Sequence, residues 1–333
     1  MRSMRPCVAA MSALVLILLL ALPATAHVPV LPGDHNSPAT AVQIKDPAVS
    51  YAIYGTLHEG GEADYFTVVM RKGDLLTFSV STPARGSYAP WLVIAGPGLT
   101  PQGTVPAGIE LPEGDTVVVV PGVRPVYAEY EPFSPMAMYQ TAMYEETAPA
   151  DGMYVIAVYT PDAVGPYTFA SGKLEAFTAS EWIMVPVNLI GVRLWQEQSL
   201  FLIFGPYIVV LIAGMVLILR WPGRQRMSAA AWIGLAAGLL YLGSGSATLL
   251  QTGIALQTAT GGSAVLVTLV FAAIPICAGA AAIIISLRSP ESTLMRFRIQ
   301  MVVIGIVGLI SWGGLIIGPV LAFVAALMPA GKG

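Results

Sequence analysis

The sequence has few cysteines, few histidines and little charge. It contains 2 cysteines, 3 histidines and 11% charged residues in a chain of 333. Cys7 and Cys277 both lie outside residues 27–196, so that region must be held together by a hydrophobic core without disulfides. The hydrophobic content of 56% exceeds the roughly 45–50% of average soluble domains, which predicts that part of the chain lies in a membrane.

The few charges are unevenly distributed. Residues 27–196 contain 17 acidic and 7 basic residues, whereas the chain from Glu197 onward is nearly uncharged. This pattern predicts an acidic, water-exposed domain followed by a membrane domain. An acidic domain lacks the basic face that phosphates require, so we expect no nucleic-acid partner.

Catalytic motifs are also absent from the sequence. There is no G-x-S-x-G elbow, no HExxH, no CxxC and no phosphate-binding glycine loop. We therefore expect a noncatalytic protein rather than an enzyme.

The first 26 residues have the composition of a cleaved secretory signal. Arg2 and Arg5 precede an apolar run from Ala13 to Leu22, and small residues follow as far as Ala26. We predict cleavage there, which would place residues 27–176 outside the cytoplasm.

Residues 27–176 contain short apolar-alternating runs bounded by glycine and proline, a pattern typical of an all-β sandwich. We expect the first three strands, within Tyr51–Thr82, to be joined by two tight turns. Gly73-Asp74 would supply the second turn as a hairpin, and Asp64 would bond turn amides. The predicted strands are Tyr51–Leu57, Asp64–Met70, Leu75–Thr82, Trp91–Ala95, Thr116–Val120, Tyr154–Tyr159 and Tyr167–Ser171.

Several of these runs are similar in sequence to the strands and turns of a known domain family. YGTL at 54–57, EADYF at 62–66 and KGDLL at 72–76 are followed by GMYVIAVY at 152–159 and GPYTF at 165–169. From about Ala41 to Leu174 the chain resembles the pre-peptidase C-terminal (PPC-like) domain. The resemblance implies a small, jelly-roll-like extracytoplasmic sandwich without activity of its own. Two features depart from the family: the insertion Tyr127–Asp151 and the lack of a protease domain.

The rest of the chain is predicted to be membrane-associated. Residues 177–198 are apolar, interrupted by Pro186 and flanked by tryptophans, which suits a connector at the membrane surface. In residues 199–333 we predict an all-α region of four transmembrane helices. Their expected bounds are Leu200–Leu219, Ala229–Leu250, Ala264–Leu287 and Ile299–Leu327.

Arginines set the expected orientation of these helices. The loops Arg220–Arg226 and Arg288–Arg298 each contain three arginines, which predicts that both are cytoplasmic. The β domain and the C-terminus would then lie outside. No span contains Asp, Glu, Lys, Arg or His in its interior, which favours an anchor over a transporter or channel subunit. Glycines in the spans allow close helix packing and homo-oligomer formation.

Two sets of residues are candidates for a site. If the mature chain begins at His27, its amine and ring, with His35 or His58, could form a copper site like the histidine brace of lytic polysaccharide monooxygenases. Alternatively, the three histidines are incidental. The insertion offers a flexible aromatic and methionine surface for a partner, or a loop that simply packs over the sandwich. Its candidate residues are Tyr130, Phe133, Met136, Met138, Tyr139, Met143 and Tyr144.

These observations predict a membrane-anchored, noncatalytic binding protein of the cell envelope. Its expected partners are the lipid bilayer and an envelope protein or glycan. The alternatives are an extracytoplasmic copper-binding protein that uses His27, and a transporter or channel subunit.

Overall fold

The computed structural model describes residues 27–33, 35–84, 86, 88–288 and 295–328, and these divide into two compact units. The β unit contains residues 27–199 and 254–262. The helical unit contains residues 200–253 and 263–328. The signal peptide predicted for residues 1–26 lies outside the described residues.

The β unit consists of a seven-stranded sheet and a five-stranded sheet. The seven-stranded sheet has the order β1-β3-β11-β5-β9-β8-β12, and the five-stranded sheet has the order β2-β4-β10-β6-β7. Their strands are β1 (Val28–Val30), β2 (Val42–Ile44), β3 (Tyr51–Leu57), β4 (Ala63–Met70), β5 (Leu75–Pro83), β6 (Trp91–Gly96), β7 (Thr116–Val120), β8 (Ala128–Glu131), β9 (Met136–Thr147), β10 (Gly152–Tyr159), β11 (Gly165–Ser171) and β12 (Ala259–Thr260).

Inward-facing side chains of both sheets form one core. Phe66 of β4 stacks on Phe169 of β11 with ring centroids 4.3 Å apart, and Phe78 of β5 also stacks with Phe169, with ring centroids 5.9 Å apart. All three rings are buried in the same apolar cluster. The β-rich fold predicted from alternation is therefore present, and all seven predicted strands exist.

The connections between the first three strands differ from our prediction. β3 and β5 belong to the seven-stranded sheet, whereas β4 belongs to the five-stranded sheet and pairs with β10 and β2. The turn at Gly73 therefore crosses from one sheet to the other, and the predicted hairpin is wrong. Gly73 does adopt a left-handed conformation (φ 98°), and its N–H donates to the carbonyl oxygen of Ala148.

Both sheets are mixed. The parallel pairs are β1 with β3, β2 with β4 and β12 with β8, and each includes a strand of three residues or fewer. The remaining pairs are antiparallel. The more specific prediction of a jelly-roll topology stays a prediction.

The insertion at Tyr127–Asp151 is mostly sheet. β8 and β9 form an antiparallel hairpin, and β9 pairs with β5 from Met138 to Thr147. β9 lies in the interior of the seven-stranded sheet. The sequence did not predict this strand because its tyrosine, methionine and glutamate residues are also typical of a loop.

The connector forms α1 (Ala179–Trp195), a continuous helix that includes Pro186. Thr178 and Glu181 form a capping box at its N-terminus. Trp195 Nε1 donates to the carbonyl oxygen of Gly55 at 2.7 Å, so the end of α1 is fixed to β3. An apolar face of α1 stays exposed, and it includes Ile183, Met184, Val187 and Leu194.

The helical unit contains three helices long and apolar enough to cross a membrane. These are α2 (Leu200–Arg220), α3 (Ala229–Ala255) and α4 (Ala264–Arg288). Their positions match the first three predicted spans.

The predicted fourth span is wrong. It is divided into α5 (Met295–Ile310) and α6 (Ile317–Leu327), which are about 24 Å and 17 Å long against a hydrocarbon core of about 30 Å. Trp312, Gly314 and Leu315 adopt positive φ between them and reverse the chain. A glycine-rich apolar segment has the same hydropathy whether it continues straight or turns back, so composition did not show the break.

The hairpin of α5 and α6 brings the last described residues back to the start of α5. The guanidinium of Arg298, in the first turn of α5, donates to the carbonyl oxygen of Met328 at the end of α6 at 3.0 Å. Within the described residues, the chain therefore returns to the end of the helical unit from which α5 starts. The prediction that the C-terminus lies outside the cytoplasm stays a prediction.

Glycines in the helical unit allow neighbouring helices and side chains to approach closely. A Cβ added at Gly238 of α3 would lie 2.8 Å from the carbonyl oxygen of Gly279 in α4. Tyr241 of α3 occupies a glycine socket, which we define as Gly308, Gly313, Gly314 and Gly318. The close packing predicted from these glycines therefore occurs between helices of the same chain.

Candidate functional site

A cavity of about 650 Å³ lies on the β unit. It is lined by the segment after β2, the end of β4, the start of β5 and the segment after β11. We call it the β4–β5 pocket. The lining residues are Lys45, Asp46, Pro47, Ala48, Val69, Arg71, Asp74, Leu75, Thr77, Gly172, Lys173 and Leu174.

Basic side chains are concentrated at this pocket. Lys45, Arg71 and Lys173 line it, which is three of the 7 basic residues between positions 27 and 196. The same region has 17 acidic residues, so the pocket contrasts with the charge of its surroundings. A ligand with a negative group would be drawn to this part of the surface.

The pocket's two carboxylates accept hydrogen bonds from backbone N–H groups of turns. Asp74 Oδ2 accepts a hydrogen bond from the backbone N–H of Arg71 at 2.8 Å, and Asp46 Oδ1 accepts one from Ala48 at 3.0 Å. These bonds shape the loops that carry the neighbouring cations. Each carboxylate follows a strand end, where a short acidic side chain stabilises the turn.

The three cations are not equally available. Lys173 Nζ lies 2.7 Å from Glu145 Oε2, an exposed ion pair. Lys45 and Arg71 are exposed, and their side chains form no hydrogen bond or ion pair with any other described residue. Lys45 and Arg71 are therefore the groups best placed to meet a ligand's anion.

The pocket also presents apolar side chains. Val69, Leu75 and Leu174 are among the exposed large hydrophobic residues of the β unit. Across the twelve described residues of the lining there is no aromatic ring. The arrangement suits a ligand that combines a carboxylate or similar anion with aliphatic groups, and it lacks the stacking platform that sugars usually require.

A second polar group lies inside the β unit. Tyr167 of β11 donates its hydroxyl hydrogen to Asp64 Oδ2 at 2.6 Å, and His35 Nε2 lies 3.2 Å from the same hydroxyl oxygen. His35 Nδ1 donates to the carbonyl oxygen of Gly33 at 2.8 Å. All three side chains are buried. Burial and the Asp64 carboxylate raise the pKa of Tyr167 well above its usual value, so the phenol remains a donor.

This network attaches the segment before β2, which contains His35, to the core. The role found for Asp64 differs from the turn-capping role we expected, because Asp64 accepts from Tyr167 in the interior. Because all three side chains are buried and hydrogen-bonded, we assign them a structural role.

A third cluster lies where α1 meets the seven-stranded sheet. The buried Arg193 donates to the carbonyl oxygen of Pro135 at 2.9 Å, and burial lowers its pKa to about 10. The half-buried Glu131 accepts from the N–H of Phe133 at 3.0 Å, and burial raises its pKa to about 7. These groups fix the helix to the β8–β9 turn.

The structure places the three histidines in different surroundings. His27 contacts the hydroxyl of Ser50, His35 lies in the buried network, and His58 is exposed at the end of β3. Burial lowers the pKa of His27. Among the residues that the structure describes, no group of three or more His, Cys, Asp or Glu side chains could hold a metal ion. The copper site therefore stays a prediction.

The predicted partner residues are divided between the core and the surface. Tyr130, Met136 and Tyr144 are buried, while Phe133, Met138 and Tyr139 are half-buried. Only Met143 of the seven is exposed. β9 alternates its side chains between the two faces of the sheet, so these residues do not form one accessible surface.

Sequence reasoning missed the β4–β5 pocket because its residues come from four separate segments. One signal was available: Lys45, Arg71, Lys72 and Lys173 are four of the 7 basic residues in an acidic region. Their proximity depends on the crossing between the sheets, which the sequence did not reveal.

Comparison with models of known protein families gives no match, and comparison with curated proteins gives none either. The resemblance to the pre-peptidase C-terminal domain rests on the quoted runs alone.

Proposed function

We propose that this chain is a membrane-anchored, noncatalytic binding protein of the cell envelope, and that its β4–β5 pocket holds a peptide segment of an envelope protein. The observation that carries the proposal is the pocket of about 650 Å³. It combines exposed aliphatic side chains with Lys45 and Arg71, whose charged groups form no hydrogen bond or ion pair with any other described residue. The segment would contain carboxylates beside leucine- or valine-like residues. A peptide is favoured over a glycan because the lining offers no aromatic platform.

The helical unit supports the anchoring role. Three of the described helices are long and apolar enough to cross a membrane, and none carries Asp, Glu, Lys, Arg or His in its interior. An anchor needs only such helices, whereas transport of an ion or proton generally needs polar groups along the path.

The chain's connectivity supports the orientation that the arginines predict. Residues 254–262, between α3 and α4, belong to the β unit, because β12 pairs with β8. The helices α2 and α4 end at Arg220 and Arg288. The β unit and the α3–α4 loop would thus lie on one side, outside the cytoplasm, and the arginine-containing ends on the other.

Binding can be tested with the full chain in lipid nanodiscs and two fluorescent peptides, one alternating leucine with glutamate and the other leucine with lysine. We expect the glutamate peptide to bind more tightly, measured by fluorescence anisotropy. The double variant Lys45→Gln/Arg71→Gln should weaken it at least about tenfold, since two charge-assisted contacts are removed.

Lys72→Gln is the matched control, because Lys72 is an exposed neighbour that does not line the pocket. It should leave the affinity within about twofold, as expected for a surface charge outside the contact. Equal binding of the two peptides, or equal effects of the double variant and Lys72→Gln, would contradict the proposal.

A further inference from the structure

A loop of the β unit exposes unusually large apolar side chains. Val123, Val126 and Tyr127 have exposed fractions of 70%, 83% and 71%. These are the three most exposed large hydrophobic residues of the β unit in the part of the chain that the structure describes. We call residues 123–127 the apolar loop. Water-exposed surfaces rarely collect such side chains without a partner.

The base of the apolar loop is fixed. The backbone N–H of Val123 donates to the carbonyl oxygen of Thr141 at 2.8 Å. The Arg124 guanidinium donates to the carbonyl oxygen of Ala84 at 3.3 Å and lies 3.7 Å from the centre of the Tyr139 ring. Because its base is held and it contains Pro125, the loop presents Val126 and Tyr127 in a defined position.

The chain places this loop next to a segment that joins two candidate membrane spans. Ala128 and Glu129, directly after the loop, pair in parallel with Ala259 and Thr260 of β12. Thr260 is four residues before the first residue of α4 and five after the last residue of α3. Four residues extend at most about 14 Å, so β12 is tethered within that distance of the start of α4.

We infer that the apolar loop inserts into the interfacial region of the lipid bilayer. Tyrosine with an aliphatic neighbour is the composition that favours the boundary between headgroups and acyl chains. A soluble protein partner is the competing occupant. The bilayer is favoured because β12, which pairs with the strand directly after the loop, lies in the short connection between two candidate membrane spans. The inference goes beyond peptide binding, because the loop does not line the β4–β5 pocket.

The experiment uses nitroxide labels on the full chain in lipid vesicles, in a background with Cys7→Ser and Cys277→Ala. Single cysteines are introduced as Val126→Cys, Val164→Cys and Leu266→Cys. Val164 is an exposed residue of the β unit outside the loop, and Leu266 is an exposed residue in the first turn of α4. Collision rates with oxygen, which partitions into lipid, and with a water-soluble nickel chelate report the depth of each label.

We expect the labels at positions 126 and 266 to collide more with oxygen than with nickel, and the label at 164 to show the reverse. A label at 126 that behaves like the one at 164, while 266 behaves as lipid-embedded, would overturn the inference. If 266 is also accessible to nickel, the membrane assignment of α4 fails and the inference fails with it.

Discussion

The two units each contain a fully buried tyrosine packed against glycine, but they satisfy its hydroxyl in different ways. In the β unit, Tyr167 lies over Gly55, where an added Cβ would be 2.4 Å from the ring, and donates to the carboxylate of Asp64. In the helical unit, Tyr241 lies in the glycine socket and donates to the carbonyl oxygen of Ile304 at 3.1 Å.

The difference follows from the groups that each unit can bury. The β unit surrounds its tyrosine with two ionisable side chains whose burial is compensated by hydrogen bonds: Asp64 accepts from Tyr167, and His35 donates to the carbonyl oxygen of Gly33. The helical unit supplies a backbone carbonyl that already belongs to a helix. A region next to lipid gains little from buried charges, so packing against glycine carries more of its stability.

The largest effect should come from removing the ring in the helical unit. Tyr241→Ala would leave a cavity between α3 and the hairpin of α5 and α6, and we expect a loss of about 3–5 kcal/mol in the free energy of unfolding. Denaturant titration in detergent measures it. Phe201→Ala is the control, since Phe201 is 81% exposed, and should cost under about 0.5 kcal/mol. Similar losses in both variants would show that the socket does not organise the helical unit.

Removing only the two hydroxyls tests the comparison most closely. Tyr167→Phe takes a donor from a buried carboxylate and should cost about 1–3 kcal/mol, whereas Tyr241→Phe should cost about 1 kcal/mol or less. The smaller loss is expected because the Ile304 carbonyl keeps its position in a helix. The same denaturant titration applies, and equal losses would remove the distinction between the units.

Glu131 should give the β unit a smaller, pH-dependent change in stability. Because burial raises the pKa of Glu131 to about 7, from 4.5, its contribution to stability is full below pH 4.5 and is lost as pH rises towards 7. Glu131→Gln should therefore stabilise the protein by about 1 kcal/mol at pH 8, after allowance for partial exposure, and by little at pH 4. Thermal unfolding at both pH values measures it.

The control for this variant is Glu129→Gln, two residues away on the exposed face of β8. Its unfolding temperature should differ from that of the original chain by the same amount at both pH values. A pH-independent effect of Glu131→Gln would mean that Glu131 is not desolvated.

Much of the β unit could be predicted because its strands alternate in polarity and end at glycine or proline. Tyr51–Leu57 and Thr116–Val120 have the predicted bounds. The sheet to which each strand belongs was not predictable, since adjacent strands pair with partners about 90 residues away, as β4 does with β10. The β4–β5 pocket depends on that pairing.

In the helical unit, hydropathy located α2, α3 and α4 but could not distinguish one span from the hairpin of α5 and α6. Trp312, Gly314 and Leu315 adopt positive φ between the two helices, and Gly314 lies against Tyr241 of α3, a tertiary contact that hydropathy does not encode. The strand β9 was not predicted, because the tyrosines and methionines at 136–144 give this segment the composition of a binding loop.

The central claim, that the β4–β5 pocket is the binding site, is tested most directly by photocrosslinking. A leucine–glutamate peptide with a benzophenone group would be irradiated with the full chain in nanodiscs, and the modified residues identified by mass spectrometry. We predict crosslinks within the segments 45–48, 69–77 and 172–174, which contain the lining residues, and their loss in Lys45→Gln/Arg71→Gln. Crosslinks concentrated elsewhere on the β unit, and unchanged in the double variant, would contradict the account.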